Sequence, residues 1–241
     1  MFCTRVLFHV HSNASFDGIM PVKLILKYCQ RNQIEVLIIS DHENMHNIAR
    51  AKTIGDEIGV TVIPAIEYTT NAGDIIALFA QEVCSSKNCV SVLKSIRNAK
   101  GLSVLPHPMK AHNLEEIPFE LIDLVETYNA RCTSVQNMNA EKLCQKYNKP
   151  KIVGTDAHLP WELGLALNIF LTPDPFSSDN NWLKRMFCRT ERHFECNGLS
   201  PLFNIHFSQL IKGVKQKNYK VIYNTIQGSV ATLLRGQVLP R

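Results

Sequence analysis

The 241 residues, 45% of them apolar, suffice for one sizeable core, and no run of 18 apolar residues occurs that would make a membrane-spanning helix. The net charge of +5 is uneven: residues 176–241 hold ten Lys/Arg against three Asp/Glu, an excess that reads first as solvated helix faces and second as a surface for phosphates or nucleic acid. The eight cysteines form no CxxC pair and the N-terminus has no apolar leader core, so free thiols and a cytoplasmic protein are expected.

In chain order, strand-like runs at Arg5–His9, Glu35–Ser40, Thr61–Ile66, Ile75–Phe79, Leu102–Pro106, Leu121–Glu126 and Lys151–Thr155 alternate with helical patterns, and Asn168–Thr172 offers an eighth. The helical stretches are Val22–Arg31, opened by Pro21, then Met45–Ile58, Cys89–Lys100 and Ser134–Tyr147. Gly59 and Gly101 stand where helix C-terminal glycines stand. Such alternation predicts an α/β fold with a mostly parallel sheet. Between Ile66 and Ile75 there is no room for a crossover helix, so that pair is expected to be antiparallel or irregular. After "TPDPFSSDNN" the pattern changes to helices at Trp182–Phe187, Ile205–Gln216 and Val221–Arg235. Residues 1–173 are expected to form the main domain, with 174–241 a helical C-terminal extension packed on it.

The strand ends carry the chemistry. "LFHVHSNASFDG" ends the first strand in His9 and His11, which strand alternation would aim to one side. Two imidazoles aimed at one point can share a metal, but one HxH decides nothing. Later strands end in Asp41 and His42 ("SDH"), Glu67, His107 ("PHP") and Asp156 with His158 ("GTDAH"). Five of the nine histidines fall at such ends, and in a barrel of parallel strands those ends meet at one rim, where active sites lie. His46, His112, His193 and His206 lie elsewhere and read as ordinary surface or packed histidines.

This ordered set, covering residues 5–170, resembles the polymerase and histidinol phosphatase (PHP) family of metal-dependent phosphoesterases. The resemblance implies a distorted seven-stranded β/α (TIM-like) barrel with two or three divalent metals at its mouth. It implies that His9, His11, Glu67 and Asp156 hold one metal, Glu67 and His107 a second, and Asp17, His42 and His158 a third, with Glu67 bridging. Many members carry a further histidine where this chain has Asp74 ("GDIIALF"), which is either a ligand or a turn aspartate beside Gly73. Imidazole and carboxylate donors without thiolate suit Mn, Zn or Fe. The expected reaction is hydrolysis of a phosphoric ester by a metal-bridging hydroxide at a di- or trinuclear site, with His9, His11, Asp156 and His158 the catalytic set.

For the substrate, Asn129 and Arg131 in "ETYNARC" and Lys110 after His107 are the candidates, Arg131 as a phosphate fork. Glu126, Ser12 and Asp41 are candidate supports for the ligands. A small phosphorylated substrate is the first expectation, and the end of an RNA or DNA strand the second. An amidohydrolase barrel also begins with HxH, but the strand-end lysine it uses has no counterpart here. A PHP module kept only for binding would have lost several ligands, whereas nearly all are present.

Overall fold

The computed structural model describes residues 1–189 and 191–234. In chain order the elements are β1 (Phe2–Val10), α1 (Val22–Arg31), β2 (Val36–Ile39), α2 (Ile48–Ile58), β3 (Thr61–Thr70), β4 (Gly73–Leu78), α3 (Cys89–Asn98), β5 (Leu102–Leu105), β6 (Leu124–Asn129), α4 (Ser134–Lys146), β7 (Lys151–Gly154), β8 (Ala166–Thr172), α5 (Asn180–Arg189), β9 (Arg192–Cys196), α6 (Leu202–Lys215) and α7 (Tyr219–Leu234). Arg235, the last residue of the expected final helix, lies outside the described residues, as does Thr190.

One sheet runs in the order β7-β6-β5-β4-β3-β2-β1-β8-β9. The apolar strands are parallel at β1/β2, β2/β3, β5/β6 and β6/β7, with both faces covered as such strands require. The sheet curls until the chain after β7 meets β1: the Thr155 and Ala157 amides donate to Phe8 O and His9 O at 3.2 Å each, and the His11 amide donates to Ala157 O at 2.9 Å. At the other end of β1 the antiparallel β8 takes this edge instead, and the buried Asn168 side chain stitches it to β7 by hydrogen bonds with both backbone groups of Val153. The result is a nearly closed α/β barrel with nine strands rather than seven. The expected seven are β1–β7, while β9 falls in the segment read as wholly helical and lengthens the sheet at β8.

Two further expectations are corrected. The loop between β3 and β4 makes the antiparallel hairpin foreseen, but β4 is also antiparallel to β5, so it runs against both neighbours. The left-handed residue after α3 is Lys100 (φ 57°), not Gly101, which is glycine because a Cβ would meet Leu78 O at 2.8 Å. Gly59 does take the left-handed turn after α2 (φ 76°).

Packing fixes one open end. Val6, Phe8, Ile38, Ile63, Val104 and Ile152 fill the barrel interior, and Leu183, Met186 and Phe187 of α5 insert among them. Phe187 packs edge-on against Phe79 and Phe170. Phe79 follows the reversed strand β4, so α5 plugs the end where the parallel strands begin. The end where they finish stays open. Helices α1 and α2 cover the outside of β1–β3, while α3 and α4 cover β3–β6.

Candidate metal centre

A bulge, not strand alternation, delivers the first two histidines. Leu7 pairs with Leu37 and Val10 with Ile39, so three steps along β1 match two along β2. Leu7 and Val10 both pack outward, while Val6 and Phe8 pack inward. Plain alternation would therefore have sent His9 outward with Leu7. His9 instead takes a left-handed conformation (φ 62°) and turns inward, 5.2 Å from the His11 ring between centroids. His107 (φ 26°) and Asp156 (φ 50°) bend the ends of β5 and β7 in the same way. Left-handed non-glycine residues persist only where their surroundings enforce them, and three of them here aim at one point.

Glu67 is at that point. Its Oε2 lies 3.3 Å from His9 Nε2, 3.2 Å from His11 Nε2 and 3.5 Å from His42 Nδ1, and its Oε1 lies 3.2 Å from His107 Nε2. Asp156 Oδ1 approaches His9 Nε2 at 3.6 Å and His11 Nε2 at 3.4 Å. Asp17 Oδ2 lies 3.3 Å from His42 Nε2 and 3.1 Å from His158 Nε2. The donor atoms fall into overlapping groups within 4.8 Å: His11, Asp17, His42 and His158; His9, His11 and Glu67; His9, His107 and Asp156; Glu67, Asp74 and His107. All nine candidate ligands join at least one group. His11 also joins Asp17, His42 and His158, a partition the resemblance did not imply. Asp74 reaches the rim because β4 runs backwards, which brings its first residues to the end where its neighbours finish.

The candidate ligands are held from behind. Glu126 binds His9 Nδ1 through Oε1 (2.9 Å) and accepts the His107 amide on Oε2 (2.7 Å). Gly154 makes room for it, since a Cβ there would meet Glu126 Oε1 at 1.8 Å. Asp41 accepts both the amide (2.6 Å) and the hydroxyl (2.5 Å) of Ser12, and Ser15 Oγ donates to Asp17 at 2.7 Å. Glu162, which the sequence did not single out, accepts the His158 and Leu159 amides at 2.9 and 3.0 Å and the Ser200 hydroxyl. It reads in "LPWEL" as a surface acid opening a helix, and only its burial shows otherwise.

The substrate candidates separate. Asn129 ends β6 and its amide donates to Glu126 (2.9 Å) and Asp156 (3.3 Å), so it organises carboxylates. Arg131 is buried rather than free at the rim. Its guanidinium meets His158 Nδ1 at 2.8 Å and donates to Ser208 Oγ (2.6 Å) and Asn204 O (3.0 Å) of α6. Lys110 stands at the mouth, 4.0 Å from Asp156. Lys212, over the Phe16 ring at 4.6 Å, adds a cation that sequence reading missed. His112, expected as a surface or packed histidine, packs beside the rim: it stands edge-on to His107 at 5.6 Å, its ring nitrogens 2.8 Å from Lys110 O and 2.9 Å from Asp74 O. Lys110, His112, Arg131 and Lys212 line a cavity of ≈ 610 Å³ above the carboxylates, and Asn129 does not reach it.

Burial alone would make His9 and His11 weaker bases. For His9 the carboxylates of Glu126, Glu67 and Asp156 outweigh it and hold the ring well above its usual range, and Asp156 and Glu67 raise His11 to about 10. Nearby imidazoles outweigh desolvation of the carboxyls as well, His158 and His42 for Asp17, His42 and His9 foremost for Glu67, and His9 and His11 foremost for Asp156, and keep all three well below the carboxylate range. His158 goes the other way, lowered by burial and by the nearby His11 and Arg131. Yet the buried His11 Nε2, His42 Nδ1 and His107 Nδ1 make no hydrogen bond. Of these, His11 Nε2 and His42 Nδ1 face ionised carboxylates, an arrangement that fits divalent cations, with a donor set of nitrogen and oxygen only.

Residues 135–180, spanning α4, β7, "GTDAH" and β8, match the PHP-associated family model. The chain is 30% identical to the uncharacterized protein MJ0417 of Methanocaldococcus jannaschii, over 88% of this chain and 98% of that one. The chain belongs to the PHP family. The PHP fold is repeated in solved structures of low identity. A two-domain protein containing a predicted PHP-like metal-dependent phosphoesterase, from Bacteroides vulgatus ATCC 8482, superposes with a TM-score of 0.68 at 14% identity, over 80% of this PHP chain. This chain spans 65% of that protein's length. PsfC of Pseudomonas syringae PB-5123 gives a TM-score of 0.63 at 13% identity, over 90% of this chain and 99% of its own.

Proposed function

We propose that this PHP protein hydrolyses a phosphate ester with the help of two or three divalent metals. The observation that carries the reading is the rim itself: nine imidazole and carboxylate side chains from the ends of six strands and their loops, three with buried unsatisfied ring nitrogens, under a cavity whose mouth holds Lys110 and Lys212. Bound divalent metals would neutralise phosphate charge and acidify a water.

The chain's own residues supply the rest. Glu67, placed among four imidazoles, would be shared between neighbouring metals. His9, His11, His107 and Asp156 would complete the inner sites, with Asp74 beside Glu67 and His107, and Asp17, His42 and His158 the outer one. Lys110 and Lys212 would draw the phosphate in and hold its outer oxygens. Arg131, with its guanidinium against Nδ1, fixes the His158 ring so that Nε2 faces Asp17. Nothing in this set calls for a protein nucleophile. A small phosphorylated substrate suits a cavity of ≈ 610 Å³.

Elemental analysis of the purified chain and a phosphate-release assay on an aryl phosphate test this. Bound Mn, Zn or Fe and turnover that a chelator removes are expected. His9→Ala should lower turnover by more than the ~10–100-fold that loss of a supporting contact costs, with far-UV circular dichroism unchanged. Protein that holds no such metal and stays inactive after Mn is added would instead be a binding module.

A further inference from the structure

Helices α6 and α7 form an antiparallel hairpin against the barrel. The line between them is fixed by Gly213, where a Cβ would meet Ile222 Cγ1 at 2.6 Å, and by Ser229 Oγ, 2.9 Å from His206 Nδ1. At 100° per residue the other sides of α6 are assigned by contact. Asn204 and Ser208 face the barrel through Arg131, and Gln209 and Lys212 flank the cavity. What remains on α6 is a stripe of Phe203, Phe207, Leu210 and Val214. On α7 the remaining stripe is Tyr219, Tyr223, Ile226 and Val230, spaced 4-3-4 and exposed by 81, 63, 50 and 47%. Each stripe lies about 70° to the same side of its helix's contact line, and in an antiparallel pair those sides coincide. The two stripes therefore make one face, on the flank of α6 away from the cavity.

That face exposes on the order of 800 Å² of apolar residues, above the ~300–600 Å² of the largest patch on an ordinary monomer and equal to one partner's share of a standard interface. Among the described residues it contains no charged one, and α7 carries only Lys220. A helix that lies on a lipid surface has a basic polar face, which α7 lacks. The face is also complementary to itself. About the midpoint between Asn224 and Thr225, an antiparallel copy sets Tyr219 against Val230 and Tyr223 against Ile226. About the midpoint between Ser208 and Gln209, it sets Phe203 against Val214 and Phe207 against Leu210. The contacts at Gly213 and Ser229 place those two midpoints about 3 Å apart in height, so one two-fold axis serves both. Each pair is reciprocal, as an isologous interface requires, and each sets an aromatic ring against an aliphatic side chain.

We propose that this face joins two copies of the chain into a two-fold dimer, with α7 antiparallel on α7 and α6 on α6, leaving both metal centres open. Light scattering coupled to size exclusion on the full chain should give twice the 27.3 kDa of one copy. Tyr223→Glu and Ile226→Lys should each yield monomers with unchanged far-UV circular dichroism. Mixing the two should restore a dimer, because the pairing sets Glu at 223 against Lys at 226 of the other copy. A wild-type chain that stays monomeric at 100 μM (the result if another protein covers this face) would overturn the proposal. So would an Ile226→Lys chain that remains dimeric, or folded variants that fail to pair when mixed.

Discussion

Glu67 takes the approach of four imidazoles, and the balance at that carboxylate sets how the centre responds to pH. Without metal, His9 and His11 are stronger bases than usual and hold protons at pH 7, while Asp17, Glu67 and Asp156 stay ionised. A divalent cation must displace those protons. Metal binding is therefore expected to release protons at pH 7–8 and to tighten with rising pH until His11 titrates at about 10. Titration calorimetry in buffers of different ionisation heat measures the release, and an affinity flat between pH 6 and 9 would contradict it. The linkage to folding has two signs. The raised His9 and His11 stabilise the metal-free protein fully below about pH 6.5, a contribution lost as the pH climbs toward 10. The depressed carboxyls stabilise it above about pH 4.5, a contribution lost on acidification.

At the scale of elements, seven of the nine candidate ligands were legible because they sit at or just past the place where an apolar run stops, and apolar runs mark strands; Asp17 lies in the loop after β1 and Asp74 at the start of β4. How each strand turns its last residue inward was not legible, because a bulge or a left-handed residue depends on a neighbour far along the chain. His9 needs the register of β2, and Asp74 needs the reversal of β4 between two strands. β6 starts three residues late because the apolar residues of "FELIDL" are first spent in a 3-10 turn. β9, "RHFEC", is short and half charged, so only its pairing with β8 defines it. The ties of α6 to the rim were equally hidden, since Arg131 finds Ser208 across 77 residues. They make α6 a strut: Lys215 Nζ donates to the carbonyls of Asn13, Ser15 and Gly18, and Arg131 spans from His158 to Ser208. Ser208→Ala strips the buried guanidinium of one acceptor and should cost about 1–3 kcal/mol. Urea denaturation reads this directly, and an unmoved midpoint would mean that α6 is not coupled to the barrel.

For the whole molecule, the charge distribution bears on substrate size. Among the described residues, the C-terminal lysines and arginines whose contacts are seen do not line up on a track leading to the rim. Lys212 and Lys215 turn to the site, Lys184 packs over Phe79 on the plugged end, and Arg192 packs over the buried Phe170 ring. The exposed aromatics of α6 and α7 lie on the flank away from the cavity, so they offer no stacking ladder beside it. A nucleic-acid strand needs both a basic groove and stacked aromatics along one path. Two mouth lysines suffice for a single phosphate, and that contrast predicts the salt response. A strand-end substrate held by several phosphates would lose affinity by orders of magnitude between 50 and 200 mM salt. Hydrolysis of a small phosphate ester by this chain should change only a few-fold in kcat/KM over that range, and short single-stranded DNA or RNA at micromolar concentration should not compete. Competition that is strong at low salt and steeply lost at high salt would instead assign the rim to strand ends.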